Sequence, residues 1–300
     1  MHNPFIRWCK CLAVLAVAGS TCFLWANPPT TTASATALLS KYSALEGRLR
    51  QNQFLRPVVL DSAQTTNQMS GEIHAVIDHP FGAASASLSE PAQWCDVMSL
   101  HINTKYCKAV GRPSGPVLKI NIGAKTPQEL ADAPRVEFDY RVVEATPLFF
   151  NVRLSATSGP LGTSEYRIEL KMIPLQNGKS FLHLRYSYSM NFAARLAMQA
   201  YLATAGSGKV GFTQITNPGD GKPEYIGGMR ALVERNTMRY YLAINSYLES
   251  AGDPGPTQLD RRLQNWFSAV EMYPRQLHEL ERGEYIAMKR DEYRRQLTTE

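Results

Sequence analysis

The sequence has no cluster of positive charge. Its 32 Lys and Arg residues oppose 26 Asp and Glu residues, which gives a formal net charge of +6. Arg7 and Lys10 are the only charged side chains among the first 26 residues, so the rest of the chain carries 30 basic and 26 acidic residues, or +4. Basic and acidic residues alternate along nearly the whole chain. The basic face that a nucleic-acid-binding protein needs is therefore absent, and we exclude a nucleic-acid partner.

The common catalytic motifs are also missing. Residues 206–209, Gly-Ser-Gly-Lys, resemble part of a phosphate-binding loop, but the first glycine and the magnesium-binding Ser or Thr of that motif are absent. The chain contains no Gly-x-Ser-x-Gly elbow and no His-Glu-x-x-His helix. Three histidines that lie near one another in sequence have no recognisable acid or nucleophile partner: His74, His79 and His101. We therefore predict no catalytic residue, no bound metal and no cofactor.

No apolar run near the N-terminus is long enough to span a membrane. The run over residues 11–26 has 16 residues and is interrupted by small and polar ones, which is short of the roughly 20 that a spanning helix needs. Basic residues precede it, and Ala26 offers a small residue for cleavage. The pattern predicts a signal peptide over residues 1–26 and export to a bacterial periplasm. The alternative is lipoprotein processing at Cys22, which the preceding threonine disfavours.

Cysteine is scarce, with 5 in the chain. Removal of the signal peptide would leave only Cys95 and Cys107. An even pair in an oxidising compartment predicts a disulfide, which at this short spacing stabilises the fold by about 3 kcal/mol. The alternative is a metal site that combines these thiolates with His79, Asp96 or His101, although the spacing matches no known cluster.

Alternation of apolar and polar residues is the clearest pattern in the chain. It is sharpest between residues 118 and 190, where Val136, Phe138 and Tyr140, for example, alternate with charged residues. Turns rich in Gly, Pro and Asn separate the stretches, which is typical of an antiparallel meander with one buried and one solvated face. The predicted strands are 71–78, 118–122, 135–142, 148–154, 165–172 and 182–190.

Helical periodicity predicts a long helix over residues 227–250. Apolar residues recur there every three or four positions and line one side of the helix, whereas Arg230, Glu234 and Arg239 fall mainly on its other sides. Such a stripe needs a buried partner, and the inner face of the meander supplies one. Further helices are predicted at 33–52, 192–204, 257–273 and 275–300, and as a short pair within 81–100 that is broken before a proline.

Four local features complete these expectations. Residues 61–68 are predicted to form a turn, and residues 210–216 to form one further strand. Thr257 is expected to cap the helix that follows it, with Asp260 three residues later as its partner. Because positive and negative charges are interspersed along residues 275–300, that helix is expected to be solvated rather than bound to a membrane.

The segment after residue 250 begins with a break rich in glycine and proline and contains an apolar stripe at Trp266 and Phe267. This stripe either packs beside the preceding domain or docks on a periplasmic or membrane protein partner. Packing is favoured because the stripe would otherwise be exposed. The predicted organisation is a signal peptide over 1–26, an N-terminal helix and extended segment over 27–68, an α+β domain over 69–250 and a helical extension over 251–300.

The stretch 75–98, AVIDHPFGAASASLSEPAQWCDVM, combines the end of a strand, two short helices and a Glu-Pro-x-x-Trp turn at Glu90. In this stretch, and in the order of strand, two helices, meander and long helix, the chain resembles START-like (helix-grip, SRPBCC-type) domains over about residues 71–250. That group includes lipid-transfer proteins, polyketide cyclases and birch-pollen-allergen-like proteins. The resemblance implies an α+β fold in which a curved antiparallel sheet wraps around the long C-terminal helix, with additional helices at both ends.

The resemblance also implies a cavity between the sheet and the long helix that holds a hydrophobic small molecule or lipid. Tyrosine hydroxyls and Asn236 would face the polar group of such a ligand, because they are costly to bury without a partner; an ordinary packed core is the alternative for these residues. The expected function is that of an exported carrier, and the alternatives are a cyclase- or hydrolase-type enzyme and a structural module with a filled core. The residues expected to line the cavity are Tyr140, Phe150, Tyr166, Tyr186, Tyr188, Met190, Met229, Val233, Asn236 and Tyr240.

Overall fold

The computed structural model describes residues 32–204, 206–215 and 223–298. The predicted signal peptide, residues 1–26, and its alternative processing site at Cys22 lie outside the described residues. The strands are β1 Val58–Gln64, β2 Gln68–Ile77, β3 Thr104–Val110, β4 Val117–Ile122, β5 Arg135–Thr146, β6 Phe149–Ser158, β7 Thr163–Pro174 and β8 Ser180–Met190. The helices are α1 Ala33–Arg50, α2 Phe81–Ala86, α3 Pro91–Leu100, α4 Phe192–Ala203, α5 Gly228–Glu249, α6 Gly255–Glu271, α7 Pro274–Leu277 and α8 Arg282–Thr298.

The eight strands form one antiparallel sheet in the order β1-β2-β8-β7-β6-β5-β4-β3, with β1 and β3 at its edges. The sheet is not closed into a barrel. Successive side chains point to opposite faces, so that Leu182, Leu184 and Tyr186 of β8 are buried on one face while His183 and Arg185 lie on the other. The α+β class and the antiparallel meander predicted from the sequence are confirmed.

The long helix α5 lies in the concave face of this sheet. It contacts β1, β2 and β8 directly, and it also contacts α3, which packs against the other edge at β3 and β4. At β2 the two backbones approach so closely that a Cβ added to Gly71 would collide with the hydroxyl oxygen of Thr237, so only glycine fits there. Because both halves of the sheet reach one helical layer, the sheet curves around α5. This is the predicted helix-grip arrangement.

The disulfide fixes the β3 edge to that layer. Cys95 of α3 and Cys107 of β3 are bonded, with their Cα atoms 5.2 Å apart, and both are buried. The predicted bridge is confirmed. Strand β3 is not among the predicted strands, because its second residue, Lys105, is buried and breaks the alternation of apolar and polar residues.

Helix α5 is buried on every side, including the sides that carry charge. Glu234, Arg235 and Arg239 are each almost fully buried, although the sequence pattern places Glu234 and Arg239 on the polar sides of the helix. The outer side is covered by later parts of the chain: the indole nitrogen of Trp266 in α6 donates to the Arg239 carbonyl oxygen at 3.4 Å. A helix enclosed by two layers has no solvated face.

The Glu234 carboxylate fastens the segment before α5 to the helix. It accepts hydrogen bonds from the backbone nitrogens of Phe212 and Thr213 at 2.6 and 2.9 Å, and from the hydroxyl of Ser62 in β1 at 2.6 Å. The prediction of a strand over residues 210–216 is wrong. The described part of that segment makes an isolated bridge, Gln214 with Tyr225, and a few backbone hydrogen bonds to residues 224–226. It does not extend into a strand, because the nitrogens of Phe212 and Thr213 bind the Glu234 carboxylate.

The C-terminal helices pack on α3 and α5. Trp266 of α6 stacks on Tyr285 of α8 with ring centroids 4.7 Å apart, and both are buried. The Tyr285 hydroxyl donates to the carbonyl oxygen of Leu100 at the end of α3, at 2.8 Å. The apolar stripe considered as a docking surface is thus covered by the chain itself.

The inner side of α8 carries a buried charge network. The ammonium groups of Lys105 and Lys289 contact the two carboxylate oxygens of Glu292 at 2.9 and 2.8 Å. Lys289 also donates to the carbonyl oxygens of His101 and Thr104. The prediction of a solvated helix over residues 275–300 is wrong on this side, because the opposite charges are paired with one another and with backbone oxygens rather than with water.

Two other local predictions are corrected. Residues 61–64 continue β1 instead of turning, because they pair with β2 through to Gln64. Helix α6 begins at Gly255, so Thr257 lies inside it and its hydroxyl donates to the Pro254 carbonyl oxygen at 3.1 Å. Asp260, its expected capping partner, instead binds Arg290 of α8 at 2.8 Å.

Helix α1 covers the convex face of the sheet. Its apolar residues, including Leu38 and Leu45, form a second core with Phe149 and Phe181, whose side chains point outward from β6 and β8. None of the helices in residues 32–204, 206–215 and 223–298 combines the length and the apolar character that a membrane-spanning helix requires.

Two histidines are stacked on this convex face. His74 of β2 lies opposite His183 of β8, with parallel rings and centroids 4.3 Å apart. His74 is almost fully buried, and its Nδ1 atom has no hydrogen-bond partner. Burial and, next, the charge of His183 lower the pKa of His74 from 6.5 to about 3. His74 is therefore neutral in the folded protein.

Replacement of both disulfide cysteines by alanine is expected to lower the free energy of unfolding by about 3 kcal/mol, because the bridge closes a short loop in the unfolded chain. Urea unfolding of wild type and of the Cys95→Ala/Cys107→Ala variant would measure the difference. Reductant should destabilise wild type by a similar amount and leave the variant unchanged. Equal stability of the two oxidised proteins would contradict a structural role for the bridge.

Acid should destabilise the protein through His74. Between pH 6.5 and 3 the unfolded chain binds a proton at His74 that the folded protein does not, so stability falls as the pH falls through this window. The expected contribution between pH 7 and 5 is about 2 kcal/mol. Urea unfolding at both pH values should show a weaker pH dependence for His74→Phe than for wild type, and identical dependence would count against a neutral buried His74.

Candidate ligand-binding site

The sequence-predicted lining residues lie where the concave face of the sheet meets α5. Eight of them are buried in the main apolar core, and Tyr166 packs against it from a half-buried position. Asn236 is half-buried, and its side-chain oxygen accepts a hydrogen bond from Arg239 at 3.4 Å. The eight buried residues are Tyr140, Phe150, Tyr186, Tyr188, Met190, Met229, Val233 and Tyr240.

Four tyrosines from three elements touch one another at the centre of this region, and we call Tyr166, Tyr186, Tyr188 and Tyr240 the tyrosine cluster. Tyr186 and Tyr188 are two residues apart on β8 and therefore share its concave face. The ring centroids lie 5.5 Å apart for Tyr166 and Tyr188, and 5.1 Å apart for Tyr186 and Tyr240. These separations are typical of favourable aromatic pairs.

The tyrosine hydroxyls differ in their partners. Tyr140 donates to the Leu88 carbonyl oxygen at 3.2 Å, and Tyr166 donates to the Thr163 hydroxyl at 2.8 Å. The hydroxyls of the other three cluster members have no hydrogen-bond partner among the described residues, although these residues are only 5%, 4% and 9% exposed. Burial raises the pKa of each, so they remain protonated donors at neutral pH. The three are Tyr186, Tyr188 and Tyr240.

His101 extends the tyrosine cluster toward the helical layer. It follows α3 directly, and its ring stacks on Tyr240 with centroids 4.7 Å apart. Its Nδ1 atom accepts a hydrogen bond from the Asn103 backbone at 3.3 Å, while its Nε2 atom is buried without a partner. Burial, together with the charges of Arg239 and two lysines, keeps the pKa of His101 well below its usual value. The ring is therefore neutral, and the free Nε2 carries the proton.

A charged group lies beside α5 close to these rings. The Glu279 carboxylate accepts from Arg239 at 2.8 Å, from Lys125 at 2.5 Å and from Lys209 at 3.0 Å. Burial alone would raise the pKa of Glu279, but the charges and hydrogen bonds of these three cations lower it to about 2. The Glu279 carboxylate is thus the shared ionic partner of three cations. Burial lowers the pKa of Lys125 to about 8.

An open cavity of about 450 Å³ lies at the start of α5. Its lining includes Met229, one of the predicted residues, and Leu202 of α4. Phe192 and Leu196, which precede Leu202 in α4, are exposed to solvent. Of the ten predicted lining residues, only Met229 lines this cavity.

One group among the described residues combines side chains that could ligate a metal. Potential ligand atoms of Glu72, His74 and His183 all lie within 4.8 Å of one another. The two imidazole planes differ by only 2°, so their in-plane lone pairs run side by side and do not point to a common ion. Arg185 also holds the Glu72 carboxylate at 2.9 Å. We interpret this group as a structural cluster of the convex face.

Sequence reasoning missed the polar part of the site. His101 was considered only as a rival metal ligand for the cysteines and as one of three histidines without a catalytic partner, and Arg239 only as a residue of the polar side of α5. Glu279, Lys125 and Lys209 lie in three separate segments whose local patterns carry no sign of their meeting. The spacing of Arg235 and Arg239, four residues apart beside Asn236 and Tyr240, was the single available signal.

No family model and no curated protein matches the chain. Among solved structures, norcoclaurine synthase from Thalictrum flavum is similar at 12% identity over 48% of this chain and 90% of that chain, with a TM-score of 0.33. A protein from Thermus thermophilus is similar at 9% identity over 61% and 99%, with a TM-score of 0.40. A START superfamily protein from Mycobacterium smegmatis is similar at 10% identity over 47% and 95%, with a TM-score of 0.31. The helix-grip fold of this chain follows from the strand order and the packing of the sheet around α5 described above.

Proposed function

We propose that the chain binds a hydrophobic, lipid-like small molecule between its sheet and α5 and carries it without covalent chemistry. The apolar residues of the inner face of the sheet and of α5 belong to one continuous buried core. Burial of apolar ligand surface there contributes about 25 cal/mol per Å². Met190 and Met229 suit such a site because their flexible side chains adapt to irregular shapes.

The three partnerless tyrosine hydroxyls are the observation that carries this proposal. A hydroxyl that leaves water without gaining a hydrogen bond loses about 1–3 kcal/mol. Three hydroxyls without a partner among the described residues, on Tyr186, Tyr188 and Tyr240, meet in one aromatic cluster between β8 and α5, and none of the three oxygens is among the fully enclosed polar atoms. A core that binds no ligand would pair these hydroxyls within the protein or lack them. The polar end of a bound molecule supplies acceptors for them, and the surrounding apolar residues take its hydrocarbon part.

The proposed place of action is outside the cytoplasm, in a bacterial periplasm. The pattern of residues 1–26 supports export. The bonded pair of Cys95 and Cys107 supports an oxidising compartment, because disulfides persist there and are rare in the cytosol.

Native mass spectrometry of the protein, purified gently from a periplasmic extract, is expected to show the mass of the chain without residues 1–26 plus one stoichiometric adduct. Denaturation should release that adduct as a lipid-like or polycyclic compound. A bare protein mass, together with no thermal shift across a panel of lipids, would contradict the carrier function and favour a packed structural module. A retained N-terminal segment would contradict cleavage of residues 1–26 as a signal peptide.

Removal of two of the free hydroxyls is expected to weaken ligand binding. The Tyr186→Phe/Tyr188→Phe variant keeps the rings but loses two donors, so affinity for the released compound should fall about 3- to 30-fold. Its thermal stability without ligand should match or exceed that of wild type, since no protein hydrogen bond is lost. The control is Tyr42→Phe, which alters a ring on the convex face. Unchanged affinity in the double variant would place the ligand elsewhere.

A further inference from the structure

We propose that the ligand is an anionic amphiphile, with a carboxylate or phosphate head group bound by Arg235, Arg239 and the free tyrosine hydroxyls and a hydrocarbon tail along the apolar residues of the site. This inference rests on the proposed function, because it names the chemical class of the molecule that the same site takes.

Arg235 is a buried cation without an ionic partner. Its residue is 2% exposed, and its guanidinium makes one hydrogen bond, to the Val210 carbonyl oxygen at 3.1 Å. No carboxylate of a described residue lies within 4 Å of it, and its Nε atom is buried without a partner. Burial and the charge of Arg239 lower the pKa of Arg235 only to about 10, so it stays charged at neutral pH. A buried charge of this kind is strongly unfavourable unless a counter-charge joins it.

The surrounding charges leave a positive excess. Arg239, Lys125 and Lys209 bind the Glu279 carboxylate, and Arg235 is a fourth cation that feels its charge without contacting it. The other nearby carboxylate belongs to Glu234 on the same helix, and both of its oxygens already accept hydrogen bonds from β1 and from residues 212 and 213. Two carboxylates therefore face four cations. A bound anion would bring this partly buried group close to neutrality.

The unpartnered buried atoms around this part of α5 are all hydrogen-bond donors. They are the Nε atoms of Arg235 and Arg239 and the protonated Nε2 of His101. Donors that lack partners call for an acceptor, and a carboxylate or a phosphate offers several in one group. Arginine is the side chain best suited to bind either of them, because its planar fork matches their oxygens. A neutral head group or a metal cation would not satisfy these donors.

The positive group adjoins the proposed hydrocarbon site. The charge of Arg235 opposes the rise in pKa that burial causes at Tyr188, so its field reaches the hydroxyl of a cluster member. The charge of Arg239 contributes to the low pKa of His101, whose ring lies against Tyr240. A head group at Arg235 and Arg239 would thus also lie beside the tyrosine hydroxyls, and its tail would extend along the apolar residues of the sheet. Fatty acids and alkyl phosphates both combine an anionic head group with a hydrocarbon tail.

The test compares three probes with the same tail: dodecanoate, dodecyl phosphate and 1-dodecanol. Isothermal titration calorimetry on wild type should show both anions binding at least about tenfold more tightly than the alcohol, because charge-assisted hydrogen bonds add to tail burial. Arg235→Gln should remove most of this preference and leave alcohol binding unchanged. The matched control, Arg167→Gln, alters an exposed arginine of β7 and should keep the preference. The stronger of the two anions identifies the head group.

A second variant protects the test if Arg235→Gln fails to fold. Lys209→Gln alters a half-buried cation of the same group and should reduce the anion preference about two- to threefold, since a partly solvated charge is screened. Equal binding of anions and alcohol by wild type, or equal weakening of all three probes in Arg235→Gln, would overturn the anionic head group and leave the carrier function standing. Absence of binding by any probe, with no adduct in the native mass, would contradict the carrier function itself.

Discussion

The enclosure of α5 is the constraint on which the rest of the structure depends. Its inner side touches the sheet so closely that Gly71 has no room for a side chain, and its outer side carries charges that cannot be left without partners. Glu234 obtains them from β1 and the segment at residue 212, and Arg239 obtains them from Glu279. The helix therefore organises both the strands before it and the helices after it. The candidate site lies where buried polar groups still lack hydrogen-bond or ionic partners, at Arg235 and the tyrosine hydroxyls.

Much of the fold could be predicted from the sequence. Strands β5 to β8 alternate apolar and charged residues over long stretches, and Pro91 marks the start of α3, so local patterns identify them. Buried charge accounts for most of the errors. Lys105 interrupts the strand pattern of β3, and Lys289 gives α8 the pattern of a solvated helix. Both lysines are nevertheless buried, because each pairs with Glu292, which is distant in sequence from Lys105. A pattern that equates charge with solvent cannot detect pairs of this kind.

The candidate site also has one part that the sequence predicts and one part that it does not. The aromatic residues of the sheet could be named from alternation together with the resemblance, because a two-residue period fixes which side chains share a face. The charged half could not, because residues 125, 209, 239 and 279 meet only after four separate segments have packed. His101 belongs to this second half. Its place against Tyr240 depends on the end of α3 and on the carbonyl contacts of Lys289.

The late position of Glu279 in the chain has a consequence for the order of folding. During synthesis Arg235, Arg239, Lys125 and Lys209 all leave the ribosome before the carboxylate that binds three of them. A nascent chain that lacks it would have to enclose these cations against their mutual repulsion. The charged group beside α5 therefore reaches its final pairing only after residue 279 has joined the fold.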